Sequence, residues 1–168
     1  MNGALAGRSV LAIAAGSYHS LALASVLPID TWTTNVFGPN ANVPGIAGKF
    51  ANPDGDGFIN FLEYAFGTDP LNPNSGPVLA PSFNAGLLTM TYSESVAATD
   101  VEVVIEESFN LGTWLEAPAI KRILSEDSMI RIIEAGVPIS PGEKQFMRGT
   151  VIGGIDIVVK KKPSGSGK

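Results

Sequence analysis

Residues 52–63 read Asn-Pro-Asp-Gly-Asp-Gly-Phe-Ile-Asn-Phe-Leu-Glu, with oxygen donors recurring at regular places. A hard divalent cation such as Ca²⁺ takes roughly six to eight oxygens at short range, and a single closed loop can supply most of them. Counted from Asn52, side-chain oxygens fall at positions 1, 3 and 5, from Asn52, Asp54 and Asp56. Gly57 stands at position 6, where the chain must turn sharply, and Phe58 at position 7 offers its backbone carbonyl. Asn60 at position 9 reaches an ion directly or through water, and Glu63 at position 12 can bind with both carboxylate oxygens. These six residues are the candidate metal ligands, and Ca²⁺ is the expected cofactor. A second reading of the same residues is a turn that caps the following helix, with Asp54 and Asp56 at its positive end. The same carboxylates can do both.

The spacing resembles the EF-hand calcium loop and departs from it at the first position, where Asn stands in place of Asp. The incoming helix of that motif is missing, because residues 45–51 are too short and too rich in glycine to form it. Three formal negative charges (Asp54, Asp56, Glu63) imply modest affinity, and the sequence holds no second loop to pair with this one. Both features suit a structural staple rather than a signalling switch.

The elements around the loop follow from turn chemistry and periodicity. Residues 29–38 predict a short helix with Asp30 at its N-cap and Gly38 at its stop, and with Trp32, Val36 and Phe37 near one face. Residues 39–50 hold Pro39, Pro44, Gly45 and Gly48 and are expected to be loop. The exit helix should run from about Ile59 to Phe66 and end at Gly67, with Phe58, Phe61, Leu62, Ala65 and Phe66 toward the core. Asp69, in Gly-Thr-Asp-Pro, fits a turn at the helix end.

Residues 70–81 contain four prolines and predict a linker. Beyond them the chain reads as strands at 86–92, 101–106, 120–124, 129–134, 144–151 and 155–160, with turn signals about every ten residues. This spacing predicts a small antiparallel sandwich. Trp114 is expected to be a core anchor, with exposure for sugar stacking as the alternative. Glu106 and Glu107 are adjacent, so in a strand they point to opposite faces and cannot act as an acid/base pair.

Three stretches resemble known families. Ile13-Ala14-Ala15-Gly16-Ser17-Tyr18-His19-Ser20-Leu21-Ala22-Leu23 looks like a repeat of the regulator of chromosome condensation family, which builds a seven-bladed β-propeller. The resemblance implies a β-hairpin over residues 7–24 with His19 buried. A lone strand pair cannot form a propeller, so the chain is expected to derive from a longer protein or to carry a recombined remnant. Arg8, the apolar run after it and Ala22-Leu23-Ala24 also have the order of a secretion signal, but Tyr18, His19 and Ser20 interrupt the run. The run from Trp32 through the loop to Gly67-Thr68-Asp69-Pro70 resembles linker modules of large secreted bacterial proteins, and thrombospondin type 3 and dockerin-like calcium loops. This resemblance implies, as the alternative to a helix-end turn, that Asp69 adds to the ion site. Ser108, Leu111 and Trp114 resemble the Ser-x-x-Leu-x-x-Trp turn of a domain that often follows such linkers.

Composition bounds the function. Apolar residues make up 45% and charged residues 16%, which requires a folded core. A net charge of −5 gives no electrostatic support to nucleic-acid binding. The only basic cluster is Lys160, Lys161, Lys162 and Lys168, in a tail that reads as solvated linker. The absence of cysteine excludes disulfides, thiolate metal sites and cysteine nucleophiles. No nucleophile elbow, phosphate loop or acid/base pair is present, so no catalysis is expected.

The expected fold is mainly β with a small helical calcium-loop segment. It comprises an N-terminal β-hairpin remnant (1–27), a helix, the loop and a second helix (28–70), a Pro-rich linker (71–81), an antiparallel β-sandwich (82–160) and a basic tail (161–168). The expected function is a non-catalytic, Ca²⁺-stabilised structural module of a bacterial extracellular or surface protein. The alternatives are a sandwich that binds carbohydrate or protein, and a fragment of a propeller scaffold or exchange factor. Expected partners are other domains of a larger surface protein or a polysaccharide.

Overall fold

A computed structural model describes residues 10–153. The expected strand at 155–160 and the basic tail lie outside the described residues. Among the described residues the fold is mainly β, built from three antiparallel sheets with short helices between the first and the other two.

Strands β1 (Val10–Ala15) and β2 (Ser20–Ala24) form the predicted hairpin, and they make a sheet of their own. Leu11, Ile13, Leu21 and Leu23 are all exposed. His19, expected in a core, is exposed too. Its ring lies over Gly16, where an added Cβ would meet His19 Cε1 at 2.7 Å. The reason is topological: among the described residues the two strands have no second layer to bury a side chain.

Helix α1 (Pro28–Phe37) starts one residue earlier than predicted, at a proline whose missing N–H costs nothing in a first turn. Asp30 is therefore not the N-cap. It sits in the first turn and its carboxylate accepts from the Leu27 N–H at 3.2 Å. Gly38 ends the helix with φ +50°, as glycine permits. Residues 39–50 are more ordered than expected, with a 3₁₀ turn at Gly38–Asn40 and a single helical turn, α2 (Pro44–Ala47).

Helix α3 (Asn60–Phe66) follows the loop and closes at Gly67, in the left-handed region at φ +73°. A Cβ on Gly67 would also collide with Ile130 Cδ1 and meet Ser95 Cβ at 3.4 Å. Gly67→Ala should therefore cost about 1–2 kcal/mol, read as a lower midpoint in urea with an unchanged slope.

The C-terminal half is the predicted sandwich. One sheet has the order β3 (Ala80–Asn84), β4 (Leu87–Ser95), β8 (Ile130–Pro138), β7 (Ile120–Glu126). The other has the order β6 (Leu115–Glu116), β5 (Val101–Ser108), β9 (Phe146–Gly153). The core between them holds Met90, Tyr92, Ile133, Ala135 and Val137 from the first sheet and Val103 and Ile105 from the second. Phe66 of α3 enters the same core, edge-on to Tyr92 at 6.3 Å.

The proline-rich stretch is only partly a linker. Ala80 and Pro81 already belong to β3, an exposed edge strand, where a proline forfeits little of the ladder. Pro70 is among the most deeply buried residues.

Trp114, expected in the core, is only half-buried, in an open cleft that it lines with Leu88, Met90 and Met147. Arg148 lies over its ring at 4.3 Å and is held there by Glu106 at 2.8 Å. The turn before Trp114 closes locally through Ser108 and Asn110, and the indole N–H donates to Leu111 O at 3.2 Å within the same turn. Glu107 instead accepts from Gln145, so the two adjacent glutamates do serve different neighbours.

Candidate metal centre

The loop is pinned at its base before any ion is considered. The Asn60 N–H donates to the Ala51 carbonyl at 2.8 Å, and the Phe61 N–H to Lys49 at 3.0 Å. Two of the unsatisfied donors at the start of α3 are thereby used to close the loop. Inside it, Asx turns fold the backbone: Gly55 N–H donates to Asn52 Oδ1 at 2.8 Å, Asp56 N–H to Asp54 Oδ1 at 3.3 Å, and Phe58 N–H to Asp56 Oδ1 at 2.7 Å. Gly55 and Gly57 take φ of +76° and +100°, which lets the chain turn tightly enough to gather the side chains.

The three carboxylates meet. Asp54, Asp56 and Glu63 each bring one oxygen within 4.8 Å of the others. Two oxygens bonded to one Ca²⁺ at about 2.3–2.6 Å can be no more than about 5 Å apart, so the spacing fits a shared ion. One oxygen of each of these carboxylates (Asp54 Oδ2, Asp56 Oδ2 and Glu63 Oε2) is buried with no hydrogen-bond partner. Glu63 itself is fully buried, at 0% exposure. A buried carboxylate oxygen with nothing to bond is costly unless a cation answers it. The acidic triad can hold a metal ion on this geometry.

Electrostatics agree. Burial, then the negative charges of Asp54 and Asp56, push the Glu63 carboxyl up to about 7. The Thr68 hydroxyl, donating to Glu63 Oε1 at 3.3 Å, opposes this, and Asp69 adds to it. A group held this far from its usual range by burial and by neighbouring like charges is poised to exchange its proton for a cation.

The other expected ligands are placed as follows. Asn52 stays in the loop, with its Oδ1 engaged by Gly55. Phe58 lies next in sequence to the sharp Gly57 turn, its N–H bonded to Asp56. Asn60 has a structural task that its spacing did not announce. Its Nδ2 donates to Ile46 O at 2.8 Å and to Gly48 O at 2.9 Å, tying α2 to the first turn of α3. This amide does the positioning that an incoming helix would do. Its Oδ1 is buried without a partner and remains able to donate to a metal. Asp69 forms a turn, accepting from the Leu71 N–H at 3.0 Å, and it is exposed.

Two residues near the site escaped the sequence reading. Thr68 orients Glu63, and a polar residue just past the helix stop was the available signal. Gly76 lies against Asp56 and Phe58, and nothing in the sequence marks it, because helix α3 and a proline-containing turn separate it from them along the chain.

The chain matches no protein-family model, no curated protein and no solved structure. Among the described residues no helix is long and apolar enough to cross a membrane.

Proposed function

We propose that residues 52–63 bind Ca²⁺ and that the ion fastens the helical segment to the β-sandwich in a non-catalytic module of a bacterial extracellular or surface protein. The observation that carries this is Glu63 Oε2, wholly buried, unpartnered and facing two further carboxylates. Oxygen-only donors favour a hard cation over zinc or copper. The Asx-turned loop, with a carboxylate at its last position able to bind through both oxygens, favours the larger Ca²⁺ over Mg²⁺, which demands a near-ideal octahedron. The extracellular setting is the one that supplies Ca²⁺ at about millimolar levels, where a modest site is filled.

The reading makes the ion a staple. Glu63 stands on α3, three residues before Phe66, which is embedded in the sandwich core. Fixing Glu63 therefore fixes the helix that plugs the sandwich. With a dissociation constant of about 0.1 mM and about 1 mM Ca²⁺, binding adds about 1.4 kcal/mol of stability. For a chain of this length that is a rise of about 3–6 °C in Tm. Thermal melts in CaCl₂ and in chelator should differ by this amount, and Asp56→Ala should erase the difference. Equal midpoints for the wild type in the two buffers, with no calcium uptake by calorimetry, would leave the reading without support.

A further inference from the structure

Residues 68–76 follow α3 in a stretch whose prolines suggest a tether, yet they fold back on the loop. The segment is closed on itself: Asn72 N–H donates to Asp69 O at 3.0 Å, Ser75 N–H to Asn72 O at 2.9 Å, and Asp69 N–H to Ser75 Oγ at 2.9 Å. Pro70 anchors one end by full burial. At the other end Gly76 rests on the loop. A Cβ there would lie 2.8 Å from Phe58 Cε2, 2.9 Å from Phe58 Cδ2 and 3.1 Å from Asp56 Oδ2.

Gly76 is not among the residues with positive φ. Its backbone could therefore carry any side chain, and only the space demands glycine. That space is bounded by an unpartnered oxygen of Asp56 and by the ring that follows Gly57. The same segment begins with Thr68, whose hydroxyl holds the other oxygen of Glu63. Each end of the turn thus touches a different carboxylate of the triad.

We infer that residues 68–76 are the second half of the metal site, a cover that holds Asp56 and Glu63 in their binding positions through Gly76 and Thr68. Gly76 and Thr68 are positioning residues, since they act on the ion through the carboxylates they touch. The cover also shields the Asp56 side of the triad, so it slows escape of the ion as well as raising affinity. The inference rests on the calcium reading above.

Calcium affinity by calorimetry and calcium release into a fluorescent chelator by stopped flow test it, on the full chain. Gly76→Val should weaken binding by about 10-fold or more and speed release, because outer contacts of metal ligands carry about 10–100-fold in affinity. Thr68→Val, which adds no bulk, should weaken binding less but in the same direction, and Gly76→Ala should fall between wild type and Gly76→Val. If Gly76→Val does not fold, Gly76→Ala and Thr68→Val decide the matter. A merely structural turn would lower Tm equally in calcium and in chelator and leave affinity and release rate unchanged, which would overturn the cover while the calcium site stood. Failure of the wild type to take up Ca²⁺ would remove both.

Discussion

Glu63→Gln should weaken Ca²⁺ binding by at least about 100-fold and, in chelator at pH 8, should make the protein more stable than the wild type. The first effect follows from the loss of an anionic ligand at the centre of the site, where even outer contacts carry about 10–100-fold. The second follows from the same burial. Without an ion, Glu63 must be buried beside Asp54 and Asp56, and its carboxyl rises from 4.5 to about 7. A group whose folded value is raised binds its proton more tightly in the folded state than in the unfolded chain. Its contribution to stability is complete below about 4.5 and is lost as pH rises through about 7.

In chelator, then, the Glu63 contribution to wild-type stability should decline between pH 5 and pH 8. Gln mimics the protonated acid and should flatten that decline. In calcium the dependence reverses, because the ion needs the carboxylate. Affinity should fall by up to about tenfold per pH unit below 7, as one proton competes for the site. A Gln variant that keeps wild-type affinity would show that Glu63 is no ligand. A wild type whose chelated stability is flat across this range would show that the triad is not strained.

The loop was legible because its chemistry is local. Asn52, Asp54, Asp56, Asn60 and Glu63 are placed by spacing alone, and short-range Asx turns and two left-handed glycines suffice to gather the three carboxylates. The strands were legible for the same reason, since alternation and turn residues report on the nearest neighbours along the chain. The order β3-β4-β8-β7 against β6-β5-β9 was not, because register between distant strands leaves little trace in either one.

The misplaced residues share a cause: each depends on a partner far along the chain. Tyr64 fell outside the apolar face assigned to α3, although it is wholly buried. A single face assumes that the other is wet. Here Tyr64 meets Ile29 and Ala98 on one side, with its hydroxyl donating to Asp100, while Phe66 enters the sandwich on the other. The short helix is covered twice, so 3.6-residue periodicity has no exposed stripe to report. His19 failed in the opposite sense. Its surroundings in sequence resemble those of a buried residue, but among the described residues the hairpin has no second layer, and burial is a property of the layer and not of the strand.

Double coverage makes Phe66 the joint of the molecule, and Phe66→Ala should be the most damaging single truncation, at about 3–5 kcal/mol. The ring is 5% exposed and packs with Tyr92, and the carbonyl of the same residue accepts from Ser93 Oγ at 2.7 Å. Removing the ring leaves a cavity between α3 and β4 and loosens the helix that carries Glu63. For a chain of this length the loss corresponds to a fall of about 6–20 °C in Tm. Phe66 makes none of the loop's own hydrogen bonds, so a change in the calcium increment reports on the coupling between helix and sandwich. If the ion fastens helix to sandwich, calcium should restore less stability to Phe66→Ala than to the wild type, since a fixed Glu63 no longer fixes a plug. Melts of both proteins with and without calcium measure this directly. An undiminished calcium increment in Phe66→Ala would mean that the site stabilises only its own loop, and that the sandwich stands without it.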